Sequence, residues 1–170
     1  MKERSVWIAL VVLVLLISCW PQEVDLPFET IERADLSGTG EYYEDKDPRL
    51  IIIANVAELD TLGNTVSSDA QLQLQDLDFD RYFAVGVFQG WRPSLPSPSG
   101  VEVQSISQQG RTITIYARFY EPVEGTVQKD VEISPYQLIK IWKEVDMQGE
   151  IEFILNVDGT VVSQQTHILP

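Results

Sequence analysis

The stretch from Arg81 to Trp142 constrains the fold of this chain more than any other, because it reads as four β-strands in succession. Tyr82-Phe83-Ala84-Val85-Gly86-Val87-Phe88 is almost wholly apolar, the pattern of a strand buried on both faces. Val101-Glu102-Val103-Gln104-Ser105-Ile106 alternates apolar with polar, as a half-buried strand does. After a Gln109-Gly110 turn, Thr112 to Tyr120 is rich in β-branched and aromatic residues. Tyr136-Gln137-Leu138-Ile139-Lys140-Ile141-Trp142 alternates again. These runs specify a scaffold and carry no catalytic pattern.

The flanking sequence extends that scaffold. Phe28 to Leu36 predicts a first strand, broken by Ser37-Gly38-Thr39-Gly40, with an acidic loop from Glu41 to Pro48 after it. The dense run Leu50-Ile51-Ile52-Ile53 predicts a central strand. Asn55 is placed to cap a short helix, with Glu58 completing a capping box. Val56, Leu59 and Leu62 would give that helix a buried face, and Gly63-Asn64 would end it. Ser67 to Gln75 fits two readings, since Leu72 and Leu74 alternate like a strand while Leu74 and Leu77 have helical spacing. Near the end, Asp158-Gly159 joins Ile151–Val157 to Thr160–His167, and Asp-Gly accepts the positive φ angles of a tight hairpin turn. The fold class is therefore α+β and predominantly antiparallel β. It is one domain, residues 28–170, of about eight strands and one short helix.

Charge and residue counts exclude several functions. The formal charge is −14, from 12 basic and 26 acidic residues. Nucleic-acid binding needs clusters of Lys and Arg, and none longer than a pair occurs. The same acidity opposes electrostatic attraction to an anionic membrane, so attachment there would have to be covalent. One cysteine, Cys19, and one histidine, His167, leave no intramolecular disulfide, no Cys-rich zinc site and no Cys–His dyad. A Ser–His–Asp triad would have to use His167, three residues from the end of the sequence in an expected edge strand. Asp76-Leu77-Asp78-Phe79-Asp80 begins like an EF-hand loop, but Arg81 and Val87 stand where that loop needs glycine and glutamate. The carboxylate pairs Glu150 with Glu152 and Asp76 with Asp78 have no distinctive catalytic spacing. No catalytic residue, metal site or cofactor is expected, and the chain is read as not an enzyme.

The first 20 residues carry the most specific motif. Lys2 and Arg4 precede an unbroken apolar run from Val6 to Ile17, shorter than the roughly 20 residues a spanning helix needs. The run ends in Leu16-Ile17-Ser18-Cys19, which resembles the lipobox of bacterial lipoprotein signal peptides. That resemblance implies a signal peptide over 1–18, fatty acylation of Cys19 and a short tether over 19–27. The mature protein would be extracytoplasmic, anchored to a bacterial membrane by its lipid.

One loop and four aromatic residues are candidate contacts. Gly90 to Gly100 holds three prolines, favouring a stiff, extended segment with little entropy to lose on binding. Trp91, Arg92, Pro93, Leu95, Pro96 and Pro98 are its candidate partner-contact residues, and Trp and Arg are enriched at interface hot spots. Trp91, Tyr116, Tyr120 and Trp142 could instead stack on a sugar or small molecule, although such aromatics belong more often to the core.

From Leu77 to Trp142 the chain resembles the C-terminal domain of the PrcB-type protease-complex subunits. The features are Asp78-Phe79 before an apolar strand ending in Gly90, Gly100 before Val101-Glu102-Val103, Glu121-Pro122 with Gly125, and Ser134-Pro135-Tyr136 before Leu138-Ile139-Lys140-Ile141. The resemblance implies a non-catalytic lipoprotein that helps form or stabilise a surface protease complex. Two functions are thus expected, a membrane-anchored protein-binding or assembly module and, as the alternative, a small-molecule or glycan-binding lipoprotein.

Overall fold

Continuous apolar runs should be covered on both faces and alternating ones on one face. Tyr82–Phe88 and Thr112–Tyr120 follow that rule, whereas Tyr136–Trp142 alternates in sequence yet is buried on both faces because it lies inside its sheet. The computed structural model describes residues 22–34, 47–63, 65–90, 92–93, 100–120, 132–144 and 147–170. In chain order the strands are β1 (Glu23–Asp25), β2 (Phe28–Ala34), β3 (Arg49–Ile53), β4 (Tyr82–Phe88), β5 (Arg92–Pro93), β6 (Gly100–Gln109), β7 (Thr112–Tyr120), β8 (Glu132–Ile133), β9 (Tyr136–Trp142), β10 (Gly149–Val157) and β11 (Thr160–Leu169). A 3-10 helix covers Val56–Thr61, and the helix α1 covers Ser68–Gln75. The predominantly antiparallel α+β class is borne out, with all eight expected strands present.

One sheet has the order β2-β9-β4-β3 and the other β1-β6-β7-β10-β11, while β5 and β8 form a separate two-stranded ribbon. The four central runs do not form one meander. β4 and β9 pair with each other in the first sheet, whereas β6 and β7 make a hairpin in the second. β7 and β10 are the parallel pair, and the crossover that parallel pairing requires passes through β9 in the opposite sheet.

The main core fills the space between the sheets. Leu50, Ile52, Phe83, Val85, Val87, Ile139 and Ile141 face Val101, Ile113, Ile115, Ile151, Phe153 and Leu155. Phe83 meets Phe153 edge to face at 5.8 Å. A second core lies on the other face of the four-stranded sheet, where Ile51, Ile53, Ala84, Phe88, Tyr136 and Leu138 pack under Leu62, Val66, Ala70 and Leu74 of the helical segment. The molecule thus has three layers: helices, four strands and five strands. The outer face of the five-stranded sheet meets solvent, which accounts for the alternation in β7 and β10.

Several local expectations are corrected. β3 is not central but ends its sheet. It is buried because α1 and the 3-10 helix cover one face, and β11 lies against its open side. There the Gln165 amide donates to the Leu50 carbonyl at 3.2 Å. Asn55 makes no side-chain cap, and Glu58 instead accepts from the Ala54 N–H at 2.7 Å and from the Asn55 amide at 2.8 Å. Val56 stays 59% exposed, so only Leu59 and Leu62 turn inward. The ambiguous Ser67–Gln75 stretch is helical because the Ser67 hydroxyl caps it, accepting from the Ala70 N–H at 3.0 Å, and because Ala70 and Leu74 find a core to enter. Residues 23–25, expected within the tether, form β1 against β6.

The strand directions give the domain two ends. At one lie Phe28, Tyr82, Trp142, the Gly110 turn and Gly149. At the other lie Ala34, Arg49, Phe88, Gly100, Tyr120 and Tyr136, with the Gln89 N–H donating to Pro135 at 2.9 Å. Seven residues of β4, at about 3.3 Å each, separate the ends by roughly 20 Å.

Candidate functional site

Two regions bear the residues singled out in the sequence. Trp91, Leu95, Pro96 and Pro98 lie outside the described residues, as does Cys19. Arg92 and Pro93 are placed in β5, whose partners are Ile133 and Glu132 of β8. This ribbon ties the base of the proline-rich segment to the segment before β9, at the end that carries Phe88 and Tyr136. The flanks of three connections, 35–46, 94–99 and 121–131, gather there. Sequence reasoning singled out only one of the three.

Among the described aromatic candidates, Tyr116, Tyr120 and Trp142, none is a core residue. Tyr116 is half-buried on the outer face of the five-stranded sheet. Tyr120 is half-buried too, donating its hydroxyl to Glu102 while the Arg33 guanidinium stands 5.9 Å from its ring. Trp142 is 36% exposed and lies at the opposite end, meeting Tyr82 edge to face at 5.1 Å. The Arg81 guanidinium stacks 4.5 Å from the Trp142 ring, and Lys140 Nζ lies 5.1 Å from the Tyr82 ring. Lys140 also pairs with Glu29 at 2.8 Å, and the hydrogen bond to Glu29 raises its pKa above the usual lysine value. Lys143 donates to the Phe79 carbonyl at 2.7 Å, with its pKa lowered by burial.

These residues frame a groove of about 170 Å³ lined by Pro27, Phe28, Glu29, Tyr82, Lys140 and Trp142. A wider depression of about 550 Å³ lies at the same end, walled by Gln22, Val24, Asp25, Leu26, Gln108, Gly110 and Glu144. Sequence reasoning found Trp142 but missed Tyr82, Phe28 and Arg81. The pairing of Tyr82 with Trp142 across β4 and β9, and of Phe28 with Ile141 across β2 and β9, brings them together.

His167, Glu152, Asp78 and Glu32 are engaged in the fold. His167 Nε2 lies 3.2 Å from Glu58 Oε2, the same oxygen that holds the Ala54 N–H. Glu152 accepts from Thr112 at 3.1 Å and Gln164 at 2.6 Å, and Asp78 accepts from the Asp80 N–H at 3.1 Å. Glu150 is exposed, its backbone carbonyl accepting from Arg111 at 2.7 Å. Glu32 accepts from the Tyr136 hydroxyl and from Ser67 Oγ at 2.6 Å, and the Tyr136 oxygen accepts from the Ser67 N–H at 3.1 Å. Among the described residues, no group of three or more His, Cys, Asp or Glu converges in a metal-binding arrangement.

The chain matches no protein-family model, no curated protein and no solved structure. Fold and surface define its class: a three-layer β-rich domain with an aromatic groove at one end and the β5–β8 ribbon at the other.

Proposed function

We infer that this chain is an extracytoplasmic lipoprotein, anchored through Cys19, whose domain is a non-catalytic protein-binding or assembly module. The observation that carries the reading is the polarity of the domain. Gln22, three residues after Cys19, lines the depression at one end. The β5–β8 ribbon at the base of the proline-rich segment stands at the other. A lipid on Cys19 would hold the Gln22 end toward the bilayer and leave the β5–β8 ribbon, at the base of the candidate contact segment Trp91 to Pro98, on the side facing away from it. The likeness of residues 77–142 to PrcB-type subunits makes a secreted or surface protease the partner to look for first.

Anchoring in this reading is covalent. Each buried CH₂ contributes about 0.8 kcal/mol, so a single acyl chain holds marginally and two or more hold firmly. The test is crosslinking of the lipidated protein in cells, with the crosslinked peptides identified by mass spectrometry. Recovery of one consistent surface protein joined at Trp91–Pro98 is the expected result. Recovery of nothing above a Cys19→Ser control would overturn the assembly role. The glycan-binding alternative is less well served, since the aromatic groove, about 170 Å³, is smaller than the roughly 300 Å³ at which small-molecule sites begin, and the depression that exceeds that size has no aromatic residue among the described residues of its lining.

A further inference from the structure

We propose that the aromatic groove around Trp142 is a membrane-contact face, resting at the headgroup level of the bilayer in which the Cys19 lipid is inserted. The proposal rests on the anchoring just inferred and adds an orientation to it. Pro27 and Phe28 form one wall of the groove, and Gln22 lines the depression at the same end of the domain. Gln22 is the third residue after Cys19, and three residues fully extended span roughly 10 Å. The acylated cysteine therefore holds this end of the domain within about one headgroup thickness of the lipid.

The chemistry of the face suits that location. Trp142 and Tyr82 are amphipathic rings, the residue types that gather where hydrocarbon meets water. Trp142 keeps 36% of its surface open. Arg81 and Lys140 lay their side chains over the two rings, so their charged heads can remain in water while the stems cover apolar surface. Lys143 stands beside them, and Glu29, Asp80 and Glu144 offset the three cations. With these local charges near balance, contact depends on the aromatic rings rather than on attraction to anionic lipid, which the acidity of the chain opposes.

The full lipidated protein is reconstituted into phosphatidylethanolamine–phosphatidylglycerol vesicles, with and without lipids brominated near the headgroup. Trp7 leaves with the signal peptide, so Trp20→Phe with Trp91→Phe makes Trp142 the sole emitter, and Trp20→Phe with Trp142→Phe does the same for Trp91. The bromines should quench Trp142 several-fold more than Trp91, with no loss of quenching at high salt. In the unaltered protein, hydroxyl-radical oxidation of Trp142 and Tyr82 should fall several-fold on vesicles relative to the domain cut free by protease. Vesicles that float with their protein while Trp142 stays unquenched and equally oxidised would overturn the contact face and leave the anchor standing. Protein that fails to float would overturn both. Unquenched Trp142 emission that changes with protein dilution would assign the face to a second copy of the chain.

Discussion

Single residues in this protein hold distant parts of the chain together. Tyr136 is fully buried, and its hydroxyl joins Glu32 of β2 to the Ser67 N–H at the start of α1. Burial, reinforced by the hydrogen bond to Glu32, raises its pKa well above the ordinary tyrosine value. A group bound more tightly to its proton when folded contributes stability that is fully present below the unfolded pKa of about 10. That contribution is lost as pH rises towards the folded value. Tyr136→Phe should therefore cost about 1–3 kcal/mol at neutral pH, from the polar groups left unpaired. Urea melts followed upward from neutral pH should also show a shallower alkaline loss than the wild type. Gly149 is fixed by a different constraint. Its φ of +89° disfavours any side chain, and an added Cβ would stand 3.1 Å from the Arg111 guanidinium, which clamps the Gln148 and Glu150 carbonyls. Gly149→Ala should lower stability by about 1–2 kcal/mol in the same assay. Neither role is legible in sequence, because the partners of Tyr136 lie 69 and 104 residues away and those of Arg111 lie 37 and 39 away.

Elements with strong local signals were legible, and those that depend on a neighbour were not. The Asp158-Gly159 hairpin forms as its dipeptide requires, with φ of 48° and 87°. β4, β7 and β9 begin and end where their apolar runs do. β1 has three exposed residues and no apolar pattern, so only its pairing with β6 defines it. The Leu72–Leu74 alternation that competes with a helix in α1 leaves Leu72 58% exposed, and the Ser67 cap prevails. In β4, Gly86 allows the Phe88 ring to lie across its own strand. A Cβ there would approach that ring to 2.7 Å, while Phe88 also packs on Tyr136 at a ring separation of 5.3 Å. Gly86→Ala should cost about 1–3 kcal/mol through overpacking, read as a lower melting temperature with strand content retained. Glu58 secures the other edge of the same sheet. Glu58→Ala removes the acceptor of the buried Ala54 N–H and the contact to His167, and should cost about 1–3 kcal/mol by denaturant midpoint.

At the scale of the whole molecule, fold and anchor should be separable. Cys19→Ser should leave the melting curve of the domain unchanged and move the protein from the membrane to the soluble fraction. Persistent sedimentation with membranes after a high-salt wash would refute the anchor. Removing residues up to Leu26 is different, because Leu26 is 5% exposed in the main core and its N–H donates to Ile106 at 2.9 Å. A chain beginning at Phe28 should be less stable than one beginning at Gln22 by about 2–5 kcal/mol, the range for loss of a buried leucine side chain. Local sequence carries the strand-rich class, the boundaries of the densest strands and the hairpin. All of these follow from periodicity and turn chemistry acting over a few residues. Only the tertiary structure decided that the four central strands divide between two sheets, that β7 and β10 run parallel, and that Tyr82, Trp142 and Phe28 meet in one groove. Those outcomes depend on which distant faces bury each other, and a local pattern records that a face is apolar without recording what it will be buried against.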